Sequence, residues 1–245
     1  MRTSSRSAER AGMMLIGAAV VVVALYLLRD VSAAIYRAIV PHTADLPGVG
    51  LVADVGLLVL VALFAVLAAQ MWRTRSPYLG DLLMGGFGVV VAYVLSEVVK
   101  SLVGEDRPCR AQVALPDCPA VGDWSFPSNH TVIAIGLATA IVLASGQMLS
   151  SLQRWLVLAL GILVGLARVL QGVHYPHDVL AGAVLGSSVT VAVVVMLVPW
   201  ARGKARMLGR RGSSETSPET SPEMSPEASP GASREADSPA ADIEA

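Results

Sequence analysis

Charge is scarce in this sequence. Asp, Glu, Lys and Arg make up 15% of its 245 residues against 54% hydrophobic ones, and the mean hydropathy is +0.61. So little charge argues against a soluble globular surface. No nucleic acid is expected as a partner. Cysteine is nearly absent too. Cys109 and Cys118 alone do not make a zinc site and no neighbouring cluster completes one, so no metal and no cofactor are expected. Lysine is equally rare, with 2 Lys against 16 Arg, which hints at a GC-rich genome.

What fills the chain is apolar runs, at about 11–28, 51–69, 82–103, 131–147, 155–170 and 179–200. Most approach the ~20 residues of a spanning helix, the fourth and fifth being short. Backbone polar groups inside a bilayer must satisfy each other, so an all-α bundle of six transmembrane helices is expected. Basic residues mark alternate connections as cytoplasmic: Arg2, Arg6 and Arg10, then Arg73 and Arg75, then Arg154, then the stretch from Arg202 to Arg211. Both termini are therefore expected inside, in a multi-pass plasma-membrane protein. The first run resembles a signal peptide in its basic start, but about 18 apolar residues exceed a cleaved h-region of ~7–15, so a retained helix is expected.

Residues 212–245 differ from the rest. Four consecutive tetrapeptides repeat a Glu-x-Ser-Pro pattern, and the segment holds 8 of the 19 acidic residues and 1 of the 18 basic ones. The remaining 1–211 thus carries 17 basic and 11 acidic residues, a net +6. Low hydrophobicity with Pro at every fourth position prevents packing, so a membrane domain at 1–211 and a disordered tail at 212–245 are expected. Gly161/Gly165 and Gly182/Gly186 read as close helix packing inside the monomer rather than as a dimer face. Cys109 and Cys118 share an outer loop, where an oxidising compartment permits a disulfide.

The few charges sit in unusual places. Lys100, Arg107, Arg110 and Arg168 fall on the outer side, against the basic bias, and a costly charge at a helix end invites a functional explanation. Alone, Lys100 reads as a snorkelling side chain with Glu97 as its partner, His130 and His174 as loop residues, and Asp178 as a helix cap. Together they suit a phosphate. Arg107 and Arg168 present bidentate forks and Lys100 a compact charge. Ser128 and Asn129 precede a helix start, where backbone N–H groups and the Ser hydroxyl can join an anion site. His174 and Asp178, four residues apart, share a helical face, so Asp178 can fix the imidazole tautomer and leave the other nitrogen to attack phosphorus. His130 then serves as general acid. His177 is the rival nucleophile but adjoins Asp178 without the four-residue spacing.

These segments resemble the type 2 phosphatidic acid phosphatase superfamily, whose signatures are K-x6-R-P, P-S-G-H and S-R-x5-H-x3-D. Here they read Lys100 to Arg107-Pro108, Pro127-Ser128-Asn129-His130, and Arg168 to His174 to Asp178, in the same order and spacing. Asn129 stands in place of Gly and Ala167 in place of Ser. The resemblance implies a metal-independent phosphatase working through a phosphohistidine at His174. Its soluble haloperoxidase branch fits this apolar chain poorly. The expected function is a membrane lipid-phosphate phosphatase at the extracytoplasmic face. A polyprenyl phosphate or pyrophosphate is favoured as substrate and a phosphatidic acid-type lipid comes next. The competing readings are a lipid-phosphate transporter or flippase, which would not need the paired histidines, and a structural protein with a degenerate site.

Overall fold

Apolar runs that must satisfy their own backbone become helices, and every regular element among the described residues is helical. The computed structural model describes residues 2–115, 118–146 and 148–214. By contacts the chain divides into Met1–Arg206 and Met207–Ala245. The first unit carries everything that follows. Of the second, only the end of the last helix is described. That helix continues through residues 212–214, three residues past the boundary read at 212, because the Pro-bearing repeats begin only at Glu215. The rest of the expected disordered tail lies outside the described residues.

The helices are α1 (Arg2–Leu27), α2 (Arg29–Ile39), α3 (Val49–Arg73), α4 (Leu79–Val103), the single turn α5 (Pro108–Ala111), α6 (Asn129–Ala144), α7 (Ser151–Leu170) and α8 (Pro176–Ser214). Among the described residues five stretches are long and apolar enough to cross a membrane: Arg6–Leu27, Val49–Arg73, Leu79–Ala111, Ser151–Leu170 and Pro176–Val198. The expected fourth span is the 16-residue α6, about 24 Å long at 1.5 Å per residue and short of a ~30 Å hydrocarbon core. Ten of its 16 residues are buried, against 5 of 25 in α3, so α6 is the central post of the bundle. Outward faces of its neighbours carry exposed Val20, Leu58, Phe87, Val94 and Ile162, surface that suits hydrocarbon rather than water.

Close approach to α6 depends on the glycine pairs. A Cβ at Gly182 would lie 2.7 Å from the Ser128 carbonyl oxygen, and one at Gly186 would collide with the Val132 backbone. One at Gly165 would meet Val179 and Thr131, and one at Gly161 would crowd Ile135 and Ala134. Both pairs therefore pack inside the chain, with backbones drawn together by the missing side chains. Sequence reading did not separate α2, an 11-residue helix with Ser32 and Tyr36 buried and Val31 and Ile35 exposed. It breaks from α1 at Leu28, and Tyr36 Oη donates to the Gly172 carbonyl at 2.9 Å, tying it to the loop after α7.

Candidate active site

Every sequence-predicted site residue comes to one end of the bundle. Lys100 lies in the last turn of α4. There Gly104, at φ +61°, closes the helix by donating its N–H to the Lys100 carbonyl and turns the chain across the bundle end. Arg107 follows in that crossing and caps α5. Ser128 caps α6, with Asn129 and His130 in its first turn. Arg168 ends α7, His174 sits in the α7–α8 loop, and Asp178 opens α8. Cys109 and Cys118 are joined in a disulfide that closes the loop beside Arg107.

Burial here is extreme for charged groups. Lys100, Arg107, Arg168 and Asp178 are buried, as is His174. His174 Nδ1 lies 3.2 Å from Asp178 Oδ2, while its Nε2 lies 3.0 Å from Arg107 Nη1. A guanidinium only donates, so Nε2 must be the acceptor and the ring proton must sit on Nδ1, directed at the carboxylate. Asp178 Oδ2 is held by three donors: that N–H, the Ser125 hydroxyl at 2.5 Å and the Tyr175 N–H at 2.8 Å. Burial, then the charges of Arg107, Arg168, Lys100 and His130, hold His174 well below the usual imidazole range and keep it neutral. The result is an unprotonated nitrogen lone pair embedded among cations.

The cations converge. Lys100 Nζ and Arg107 Nη2 reach Asp123 Oδ1 at 3.2 and 2.9 Å, and Arg107 Nη1 also donates to the Val173 carbonyl at 3.2 Å. Arg168 Nη1 donates to Gln171 Oε1 at 2.9 Å, and its buried Nε makes no hydrogen bond, an open donor in the site. Asp123 is burdened by partial burial, but hydrogen bonding to Arg107 and the charges of Arg107 and Lys100 outweigh that and hold its carboxyl below the usual range.

Several sequence expectations are corrected in detail. The partner of Lys100 is Asp123, not Glu97. Glu97 instead accepts from Asn129 Nδ2 at 2.5 Å, while Asn129 Oδ1 accepts from Ser96 at 2.7 Å. The Asn129 side chain thus spends its polar groups on α4 and not on the cationic cluster. The Ser128 N–H donates to the Asp178 carbonyl at 3.1 Å, and the Ser128 hydroxyl accepts from Thr131. That N–H is therefore not free for an anion, because the start of α6 is stitched to the start of α8.

His130 does not meet the dyad directly. Its Nε2 lies 3.2 Å from Asp54 Oδ1 on α3, with 31% of the His130 side chain exposed. Sequence reading missed Asp54, although a lone carboxylate within the 51–69 apolar run is itself a signal. It also missed Asp123 and Ser125, which carry no local signature, and a second buried group in which His177 Nε2 stands 3.1 Å from Glu105 Oε2.

Comparison with known proteins follows the same segments. The sequence profile of the PAP2 superfamily matches residues 81–203. A decaprenylphosphoryl-5-phosphoribose phosphatase of Mycobacterium tuberculosis is 33% identical over 153 residues, covering 62% of this chain and 76% of that protein. An undecaprenyl-diphosphatase of Bacillus subtilis is 27% identical over 140 residues (55% of this chain, 65% of that one). The crystal structure of a transmembrane PAP2 type phosphatidylglycerolphosphate phosphatase from Bacillus subtilis superposes with a TM-score of 0.53 at 23% identity. It covers 75% of this chain and 93% of the other, a likeness of fold.

Proposed function

This chain belongs to the PAP2 superfamily, and from that premise we propose that it is an integral membrane phosphatase of lipid phosphates, acting through a phosphohistidine at His174. One observation carries the reading: the buried His174 turns an unprotonated Nε2 toward Arg107 while its Nδ1–H faces Asp178. A binding or flipping protein needs the cations. It does not need a neutral, carboxylate-backed imidazole among them.

In the first step the Nε2 lone pair attacks phosphorus, a P–N bond forms and the bond to the leaving oxygen breaks. His130 supplies the proton that the leaving oxygen takes. Lys100, Arg107 and Arg168 hold the remaining phosphoryl oxygens, and their charge offsets the negative charge spread over those oxygens in the transition state. Asp178 stabilises the positive charge that develops on the phosphorylated ring. In the second step water attacks phosphorus, His130 accepts its proton, and the P–N bond breaks to release phosphate and restore neutral His174. No residue in this sequence of steps requires a metal ion or cofactor.

We assign the site to the extracytoplasmic side of six spans with both termini inside, a topology that rests on the basic residues at the opposite helix ends. Cys109–Cys118 is consistent with that side, since disulfides persist in oxidising compartments. A site at headgroup depth lets the phosphate enter while the tail stays in hydrocarbon. Among lipids, a polyprenyl phosphate or diphosphate is the favoured substrate, because relatives from Mycobacterium tuberculosis and Bacillus subtilis are named for decaprenyl and undecaprenyl substrates. Purified protein should release inorganic phosphate in EDTA from polyprenyl diphosphate faster than from polyprenyl monophosphate, phosphatidic acid or phosphatidylglycerol phosphate. Strict dependence on added magnesium would overturn the mechanism. Phosphatidic acid as the best substrate would overturn the lipid assignment.

A further inference from the structure

His177 is 2% exposed and takes no part in the steps above. Its ring stacks with Phe126 and with Tyr175, centroids 5.5 and 5.4 Å away and planes inclined by 26° in both cases, and Tyr26 of α1 lies at 6.4 Å, tilted by 58°. Its backbone N–H donates to Ser32 Oγ at 3.0 Å, and its Nδ1 lies 3.0 Å from that same hydroxyl. Its Nε2 faces two carboxylates, Glu105 Oε2 at 3.1 Å and Asp178 Oδ1 at 3.3 Å.

The proton on this ring can be located by elimination. A bare Nε2 lone pair aimed at two carboxylates would be repelled by both. With Ser32 Oγ already accepting the backbone N–H, its own hydrogen is free to point at Nδ1. Whether the ring is neutral or charged, Nε2 carries hydrogen. Asp178 needs such a donor: its Oδ2 is held three times over, while Oδ1 is buried and makes no hydrogen bond of good geometry. A fully buried carboxylate oxygen without compensation is costly. His177 Nε2 stands 3.3 Å from it, close enough for its N–H dipole to act on the oxygen while the hydrogen bond itself goes to Glu105.

We infer that His177 is a positioning residue for the phosphatase reaction: hydrogen-bonded to Glu105 and 3.3 Å from Asp178 Oδ1, its Nε2–H offsets the charge on Oδ1 and so favours the ionised carboxylate that holds Oδ2 against His174. The inference rests on His174 being the nucleophile. It also gives α2 a role, since Ser32 fixes the His177 ring from that helix. The groups facing this pair are Glu105 from the α4–α5 crossing, Tyr26 from α1, Ser32 from α2, Ser125 from the loop before α6, and Tyr175 and His174 beside α8. Beyond His174 stand Lys100, Arg107, Arg168 and His130.

Two substitutions separate the hydrogen bond from the packing. His177→Phe keeps the stack and removes the donor, while His177→Gln restores an N–H. With farnesyl diphosphate as the polyprenyl probe, H177F should lower kcat about tenfold or more, as loss of an outer partner does elsewhere, and change KM less than twofold. Without its donor the dyad takes up a proton more readily as pH falls, so the acid limb of kcat/KM should move to higher pH in H177F and return in H177Q. An unmoved limb in H177F, with wild-type kcat, would overturn the inference. Should H177F not fold, NMR of the imidazole nitrogens in the wild-type protein decides the matter, since its four histidines are few enough to assign. A proton on Nδ1 of His177 with Nε2 bare would refute the inference. Glu105, His177 and Asp178 bring their ligand atoms within 4.8 Å of one another; stoichiometric zinc in purified protein that H177Q loses would refute it in favour of a metal site. Alkaline-quench trapping of radiolabelled phosphate keeps the two readings apart. Labelling of His174 at equal rates in wild type and H177F sinks only the role of His177, whereas turnover by His174→Gln sinks the nucleophile itself.

Discussion

Arg107 Nη1 lies 3.0 Å from His174 Nε2, so the guanidinium assigned to the proposed phosphate clamp also touches the nitrogen proposed as nucleophile. The contact ties charge to reactivity. Burial first, and Arg107 next, hold His174 below an ordinary imidazole value near 6.5. A depressed value means that the neutral nucleophile survives as pH falls. The acid limb of kcat/KM assigned to His174 should therefore lie below 6.5. Removing the cation in Arg107→Gln should move it upward, with a loss in kcat of about 10²–10³, the scale of one lost transition-state donor. A limb that stays fixed or moves down in R107Q would separate Arg107 from His174. The measurement is a pH–rate profile on both proteins.

Asp123 presents a rival anion to the same cations. Its Oδ1 bridges Lys100 and Arg107 while 48% of its side chain remains exposed, so a substrate phosphate must share or displace it. Exposed pairs are worth ~0.2–1 kcal/mol, so Asp123→Asn should tighten vanadate inhibition by up to roughly fivefold. Weaker inhibition in D123N would show that the carboxylate holds the cations in place instead of competing for them.

Local spacing made half of this site readable. His174 and Asp178 are four residues apart, and a turn of helix brings them together with no knowledge of the fold. Lys100 and Arg107 flank one break, and Arg168 ends one helix. The partners that tune them come from far along the chain. His130 meets Asp54 across 76 residues, and Ser125 meets Asp178 across 53. Nothing in a local pattern encodes such pairs. Glu97, one turn from Lys100, was the natural partner on helix spacing, but Asn129 reaches it from α6. The long helices followed from apolar runs; the single turn α5 did not, nor did α2, whose 11 residues alternate buried Ser32 and Tyr36 with exposed Val31 and Ile35, too short and too mixed to register as a run.

The Cys109–Cys118 bridge encloses the loop between Arg107 and Asp123, with Arg110 Nη1 donating to the Pro119 carbonyl at 2.6 Å inside it. Closing a loop of about ten residues constrains the unfolded chain by ~2–3 kcal/mol. Reduction should lower the thermal midpoint in detergent and lower kcat as well as kcat/KM, because the bridge closes the loop beside Arg107 and so helps hold the cations proposed to stabilise the transition state. An unchanged kcat under reductant, with a lowered thermal midpoint, would separate the bridge from the cationic cluster. Thermal unfolding and initial rates with and without dithiothreitol supply the comparison.

Asp54 tests the acid. Its carboxylate lies 3.2 Å from His130 Nε2, so it can orient that ring and stabilise its protonated form. General acids contribute about 10²–10⁴ where the leaving group needs a proton. A lipid alkoxide leaving from a monophosphate needs one badly, while the phosphate leaving from a diphosphate needs it much less. Asp54→Asn should therefore slow polyprenyl monophosphate hydrolysis far more than diphosphate hydrolysis, and His130→Ala should show the same bias more strongly. Lys100→Ala, which removes a cation of the proposed clamp, should slow both substrates alike. Equal losses on the two substrates in D54N would assign Asp54 to holding α3 against α6 instead of to proton transfer. Measuring the ratio of the two rates in each variant discriminates the cases, because a general loss of folded protein cancels from it.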